Sequence, residues 1–168
     1  YGKVFNDHHN AMWAEKLGLH QWRETDQELV EQLNTALQTI EIDMTIFFRL
    51  LASLERPDPS DLSHAYYEPI GPAEEQISGW LQAWWERVDG EPDREAMKRA
   101  NPKYVLRNWM AQLAIDAAEK EDYTVCEQIH TLLKSPYEDQ PEMEERWFQP
   151  RPEWARHRVG CSMLSCSS

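Results

Sequence analysis

The chain has 168 residues, 41 % of them apolar and 28 % charged, a balance that suits one globular domain with a sizeable core. Its formal net charge of −13 disfavours nonspecific nucleic-acid binding, which needs a basic surface, and equally disfavours docking on anionic lipid. Three cysteines are too few for a disulfide-rich secreted scaffold, and the apolar runs fall far short of the roughly 20 residues that span a bilayer.

No run with period-two alternation marks a strand, and the pattern predicts an all-α fold of about seven helices with an irregular C-terminal tail. The first helix is expected over Val4 to Leu17, with Gly18 as its C-cap. Thr25-Asp26-Gln27-Glu28 has the form of a capping box. Behind it Leu29, Leu33, Leu37 and Ile40 fall on one stripe, flanked by Val30. Asp43 can cap a third helix, Met44 to Leu54, whose apolar face is Met44, Phe47, Phe48, Leu51 and Leu54.

Arg56 to Pro72 holds Pro57, Pro59, Pro69 and Pro72 and reads as a non-helical connector. A fourth helix is expected from Ala73 to Val88, with Ile77, Trp80, Leu81, Trp84 and Val88 inside and Gly90 and Pro92 ending it. Trp85 should point to another sector, towards a partner surface. A short helix, Asp93 to Arg99, leads to Asn101-Pro102, read as an N-cap with proline at the first helical position. The helix expected behind it, Lys103 to Glu119, buries Val105, Leu106, Trp109, Met110, Leu113 and Ala117.

Asp122 caps a seventh helix with Val125, Cys126, Ile129, Leu132 and Leu133 on its face, and Pro136 stops it. On that face Cys126 is expected to be a buried, inert thiol. Glu142 to Trp147 can form a turn or two of helix. Beyond it Pro150 and Pro152 interrupt regular structure, and Arg151, Arg156, His157 and Arg158 form a basic cluster. The expected organisation is a helical domain over residues 1–147, with its connector at 56–72, and a tail over 148–168.

Few residues suggest chemistry. His8 and His9 are adjacent, so they point in different directions on a helix and make no metal pair. His157, Cys161 and Cys166 offer three zinc ligands but no fourth, at a spacing that matches no zinc template. The acidic runs at Glu119 to Asp122 and Glu138 to Glu145 read as solvated faces. Cys166 stands on a stretch without helical or strand patterning, five residues after Cys161. From the residues alone two readings stand: a thiol placed to react, with a local Cys161–Cys166 disulfide conceivable, and an undirected surface thiol.

Several ordered blocks resemble the selenoprotein O family, also called the YdiU family. The hallmark is Asn101-Pro102-Lys103-Tyr104-Val105-Leu106-Arg107-Asn108-Trp109, with Trp109 where the family has tyrosine. The other blocks are Lys16-Leu17-Gly18-Leu19, Asp43-Met44-Thr45-Ile46-Phe47-Phe48-Arg49-Leu50-Leu51, Ser135-Pro136-Tyr137-Glu138-Asp139-Gln140-Pro141 and the closing Cys166-Ser167-Ser168.

The resemblance implies a protein adenylyltransferase, a kinase-like (pseudokinase) fold that transfers AMP from ATP to protein hydroxyls with magnesium or manganese. It implies that these residues are the helical C-terminal part of that protein and that their partner is its N-terminal kinase-like portion. The nucleotide, metal and catalytic motifs belong to that portion. No catalytic, cofactor or metal residue is carried over to this chain, which is expected to be inactive alone. The position that transfers is Cys166, which matches the selenocysteine of eukaryotic members and so implies a redox role. A bacterial, cytoplasmic member is expected, with eukaryotic relatives in mitochondria. The competing reading is a free-standing helical interaction module.

Overall fold

The computed structural model describes residues 2–161. Among them nine α-helices and two 3₁₀ segments occur and no strand, so the all-α expectation holds at that level. The helices are α1 (Gly2–Leu17), α2 (Asp26–Thr39), α3 (Met44–Leu51), α4 (Glu74–Arg87), α5 (Arg94–Ala100), α6 (Asn108–Ala118), α7 (Thr124–Lys134), α8 (Pro141–Trp147) and α9 (Glu153–Arg156). The chain divides into two compact units, the first ending at Asn101 and the second beginning at Pro102.

In the first unit α1 packs on α5, α2 on α4, and α3 on the 3₁₀ segment Pro59–Ala65. The core is the set of stripes that helical spacing selects: Leu29, Val30 and Leu33 from α2, Phe47, Phe48 and Leu51 from α3, and Ile77, Trp80, Leu81 and Trp84 from α4. Trp80 and Trp84 stack with ring centroids 6.1 Å apart. Their indole N–H groups donate to Leu29 O and Leu17 O, both at 2.8 Å, so burial leaves neither donor unpaired. Each ring hides about 200 Å², worth ~5 kcal/mol by area.

The ends of the helices show which local signals hold. Gly18 adopts φ +65° and closes α1 with both bonds of a Schellman turn, Leu19 N to Ala14 O at 2.8 Å and Gly18 N to Glu15 O at 3.3 Å. Asp43 and Asp93 cap α3 and α5 by accepting from Ile46 N and Ala96 N. Thr25 does not cap α2: it is already in the helical region and its side chain makes no cap bond. Asp26 instead reaches back to accept from Arg23 N at 2.6 Å.

The proline-rich connector is not fully irregular. Pro59–Ala65 and Gly71–Ala73 form 3₁₀ helices, and Leu62 and Ala65 are fully buried. Proline fixes φ near helical values, which suits short 3₁₀ turns while excluding a long α-helix. On α3, Met44 is exposed and Ile46 and Arg49 are buried in its stead.

In the second unit α6 packs on α7, and Trp109, Met110, Ile129, Leu132, Trp147 and Phe148 are buried. The expected helix from Lys103 starts only at Asn108. Pro102 has no N–H, and the N–H groups of Lys103 and Tyr104 both donate to Pro136 O, at 2.8 and 3.0 Å, which holds this stretch extended. Leu106 is accordingly exposed. Cys126 is exposed too, contrary to the expectation of a buried thiol: α7 buries Ile129 and Leu132, a narrower stripe than the sequence pattern suggested.

Candidate functional site

The sequence blocks that carry the family resemblance converge on two polar nodes, one in each unit. In the first unit Asn101 sits 1 % exposed at the end of α5. Its amide donates to Met97 O at 2.9 Å and to Lys16 O at 3.0 Å, and its carbonyl accepts from Lys16 Nζ at 2.8 Å. The Lys16 ammonium also lies 4.1 Å from the Phe48 ring centroid, a cation–π contact. Arg49 Nη1 donates to Lys98 O at 3.2 Å and Asn101 O at 3.3 Å. Three blocks separate in sequence therefore meet at one asparagine. Burial holds the Lys16 pKa below the usual lysine value.

In the second unit Lys103 is buried, and its ammonium donates to Asp139 and Glu144, both at 2.8 Å. The charge lies 5.1 Å from the Phe148 ring centroid. Burial alone would lower the Lys103 pKa, but the bonds to Asp139 and Glu144 outweigh it and hold the group above the usual lysine value. Gln140 Nε2 donates to Leu132 O and Ser135 O, and Tyr104 OH donates to Gln140 O at 3.4 Å, which fixes the 135–141 turn against the hallmark block.

Both nodes are hydrogen-bond networks that hold irregular backbone in place. Sequence reading missed them. Asn101 resembled an N-cap, and Asp139 and Glu144 resembled solvated acids; the detectable signal was a lysine directly after an Asn-Pro pair, followed by a proline-bounded acidic turn.

The remaining candidates are placed as follows. His9 accepts from Trp13 Nε1 at 3.1 Å on α1, and the described residues bring no three His, Cys, Asp or Glu side chains together to hold a metal ion. Cys161 is buried, and Arg158 before it forms a two-pronged pair with Asp116 on α6 at 2.7 and 2.8 Å. Cys166, its pairing with Cys161, and the closing block lie outside the described residues. No helix of the described residues is long and apolar enough to cross a membrane. Trp85, expected to face a partner, is half-buried and lies near Gly90.

Comparison with known proteins gives a consistent result. The family model described as "Protein adenylyltransferase SelO" matches residues 1–134. The chain is 44 % identical to the "Protein nucleotidyltransferase YdiU" of Flavobacterium johnsoniae over 95 % of its own length and 33 % of that protein's. It is likewise 44 % identical to the proteins of the same name from Aromatoleum aromaticum and Rhodopirellula baltica, over 100 % of its length and 34 % and 35 % of theirs. It thus spans about a third of the length of the curated relatives it matches. With that match over most of the residues, and with the matching blocks built into its two polar nodes, the chain belongs to the SelO protein adenylyltransferase family.

Proposed function

We propose that this chain is the helical C-terminal part of an enzyme that transfers AMP from ATP to hydroxyl groups of other proteins, and that it supports a kinase-like catalytic portion without being catalytic itself. The supporting observation is its 44 % identity, over essentially its whole length, to nucleotidyltransferases three times as long. In the reaction an acceptor hydroxyl oxygen bonds to the α-phosphorus of ATP, the bond to pyrophosphate breaks, and the hydroxyl proton is lost. ATP and its magnesium or manganese are assigned to the other two thirds of the protein, and the compartment to the bacterial cytoplasm. The test uses full-length protein, an acceptor protein and ATP labelled at either the α- or the γ-phosphate. Transfer of the α label alone is expected; transfer of the γ label would mean phosphoryl transfer and overturn the reading.

The proposal extends to Cys166 as a redox-active thiol, supported by its match to the selenocysteine position of the family. Oxidation by a disulfide reagent would remove a proton and an electron from Cys166 and from a second thiol and join their sulfurs, reducing the reagent to two thiols. Mass spectrometry of the oxidised full-length protein should show Cys166 linked to a cysteine outside these 168 residues. A Cys166 that stays free, or pairs only with Cys161, would contradict it.

A further inference from the structure

Among the described residues, nothing covers the first two turns of α1. Residues 2–8 are all exposed, and Val4 and Phe5 are each 61 % exposed. Exposed apolar side chains scattered singly are ordinary. These are not scattered: Val4, His8 and Met12 follow i, i+4, i+8 on one face, with Phe5 beside them, a stripe about 12 Å long. Lys3, Asn6 and Asn10 occupy the opposite side. From Phe5 a neighbouring row of rings leads into the first unit's core: Phe5 stacks on His9 at 6.1 Å, His9 meets Trp13 edge-on, and Trp13 meets Phe48. A helix end of this length gains little from propensity alone and is normally held by burial of its apolar face.

We propose that the Val4–Phe5–His8–Met12 face of α1 is a docking seam for the remainder of the same polypeptide, the two thirds of the full-length protein that these residues do not include. The occupant is chosen on length: the relatives extend well beyond this chain, and an exposed apolar patch at the start of α1 fits an intramolecular lobe contact. The inference rests on the reading of the chain as part of a longer adenylyltransferase.

The test places single thiols in the full-length protein by Phe5→Cys, Val4→Cys and, on the polar face, Asn6→Cys. Maleimide modification is mapped by peptide in native protein and in urea. A covered site reacts only through local opening, so Phe5→Cys and Val4→Cys should be modified at least about tenfold more slowly in native protein than in urea, with Asn6→Cys little affected. Native rates at positions 4 and 5 equal to those at position 6 would overturn the proposal. So would protection that appears only at concentrations where the protein sediments as a dimer, which would assign the face to a second copy. Two variants guard against one misfolded protein. If α-label transfer succeeds while positions 4 and 5 are freely modified, the seam alone is wrong; if transfer fails, the parent reading is.

Discussion

Asn101 links α1, α5 and the backbone that leaves α5 through a single amide, so its replacement acts on three elements at once. Asn101→Ala removes the acceptor of Lys16 Nζ and the donor to two carbonyls, at a cost of about 2 kcal/mol, read as a lower urea midpoint. Asn101→Asp keeps the acceptor for Lys16 but turns an oxygen onto the carbonyls of Lys16 and Met97, so it should not restore the loss. Lys103 has a different signature. Asp139 and Glu144 remain about half exposed, so water screens the pair, and Lys103→Met should cost about 1–2 kcal/mol, between a surface and a buried ion pair. The folded pKa of Lys103 lies above its ordinary value. Its contribution is therefore complete below about pH 10.4, the unfolded lysine value, and is lost as pH rises through the folded pKa. Urea titrations across alkaline pH should show a steeper loss of stability in the parent than in Lys103→Met. Lys16, whose pKa is shifted the other way, is present in both proteins and cancels in the difference. Equal slopes would mean that the Lys103 network is not formed in solution.

At the scale of elements, α4 is where sequence and structure agree most fully: Ile77, Trp80, Leu81, Trp84 and Val88 are all buried as spacing predicts. Trp84→Ala removes a fully buried ring and leaves Leu17 O without its donor, so a loss of about 3–5 kcal/mol is expected, and a smaller one for Trp84→Phe. A change below about 1 kcal/mol would place the ring outside the core. Periodicity sees such faces because one helix against one core imposes a single period. It fails at 101–107, where the apolar spacing of Val105 and Leu106 resembles a helix while the N–H groups of Lys103 and Tyr104 bond to Pro136, more than thirty residues away. It fails at Cys126 because the width of the buried stripe on α7 depends on its neighbour, not on its own pattern. Cap residues were legible at Asp43 and Asp93, and the capping box was misleading at Thr25, whose side chain makes no cap bond, while Asp26 beside it pairs with the distant Arg87 at 2.6 Å.

At the scale of the whole molecule, the family was legible because four of its blocks meet in two hydrogen-bonded nodes. Lys16, Arg49 and Asn101 form one node and Lys103 and Asp139 another, so each block constrains another. The break between units at Asn101 and Pro102 was not legible, since the pattern there read as one helix entering another. The central claim is that these residues belong to an adenylyltransferase and do no chemistry alone. The most direct measurement compares the isolated 168-residue chain with the full-length protein, each incubated with α-labelled ATP, divalent metal and a protein acceptor. Labelled acceptor is expected from the full-length protein only; robust, heat-sensitive labelling by the isolated chain, or none by the full-length protein under the same conditions, would contradict the claim.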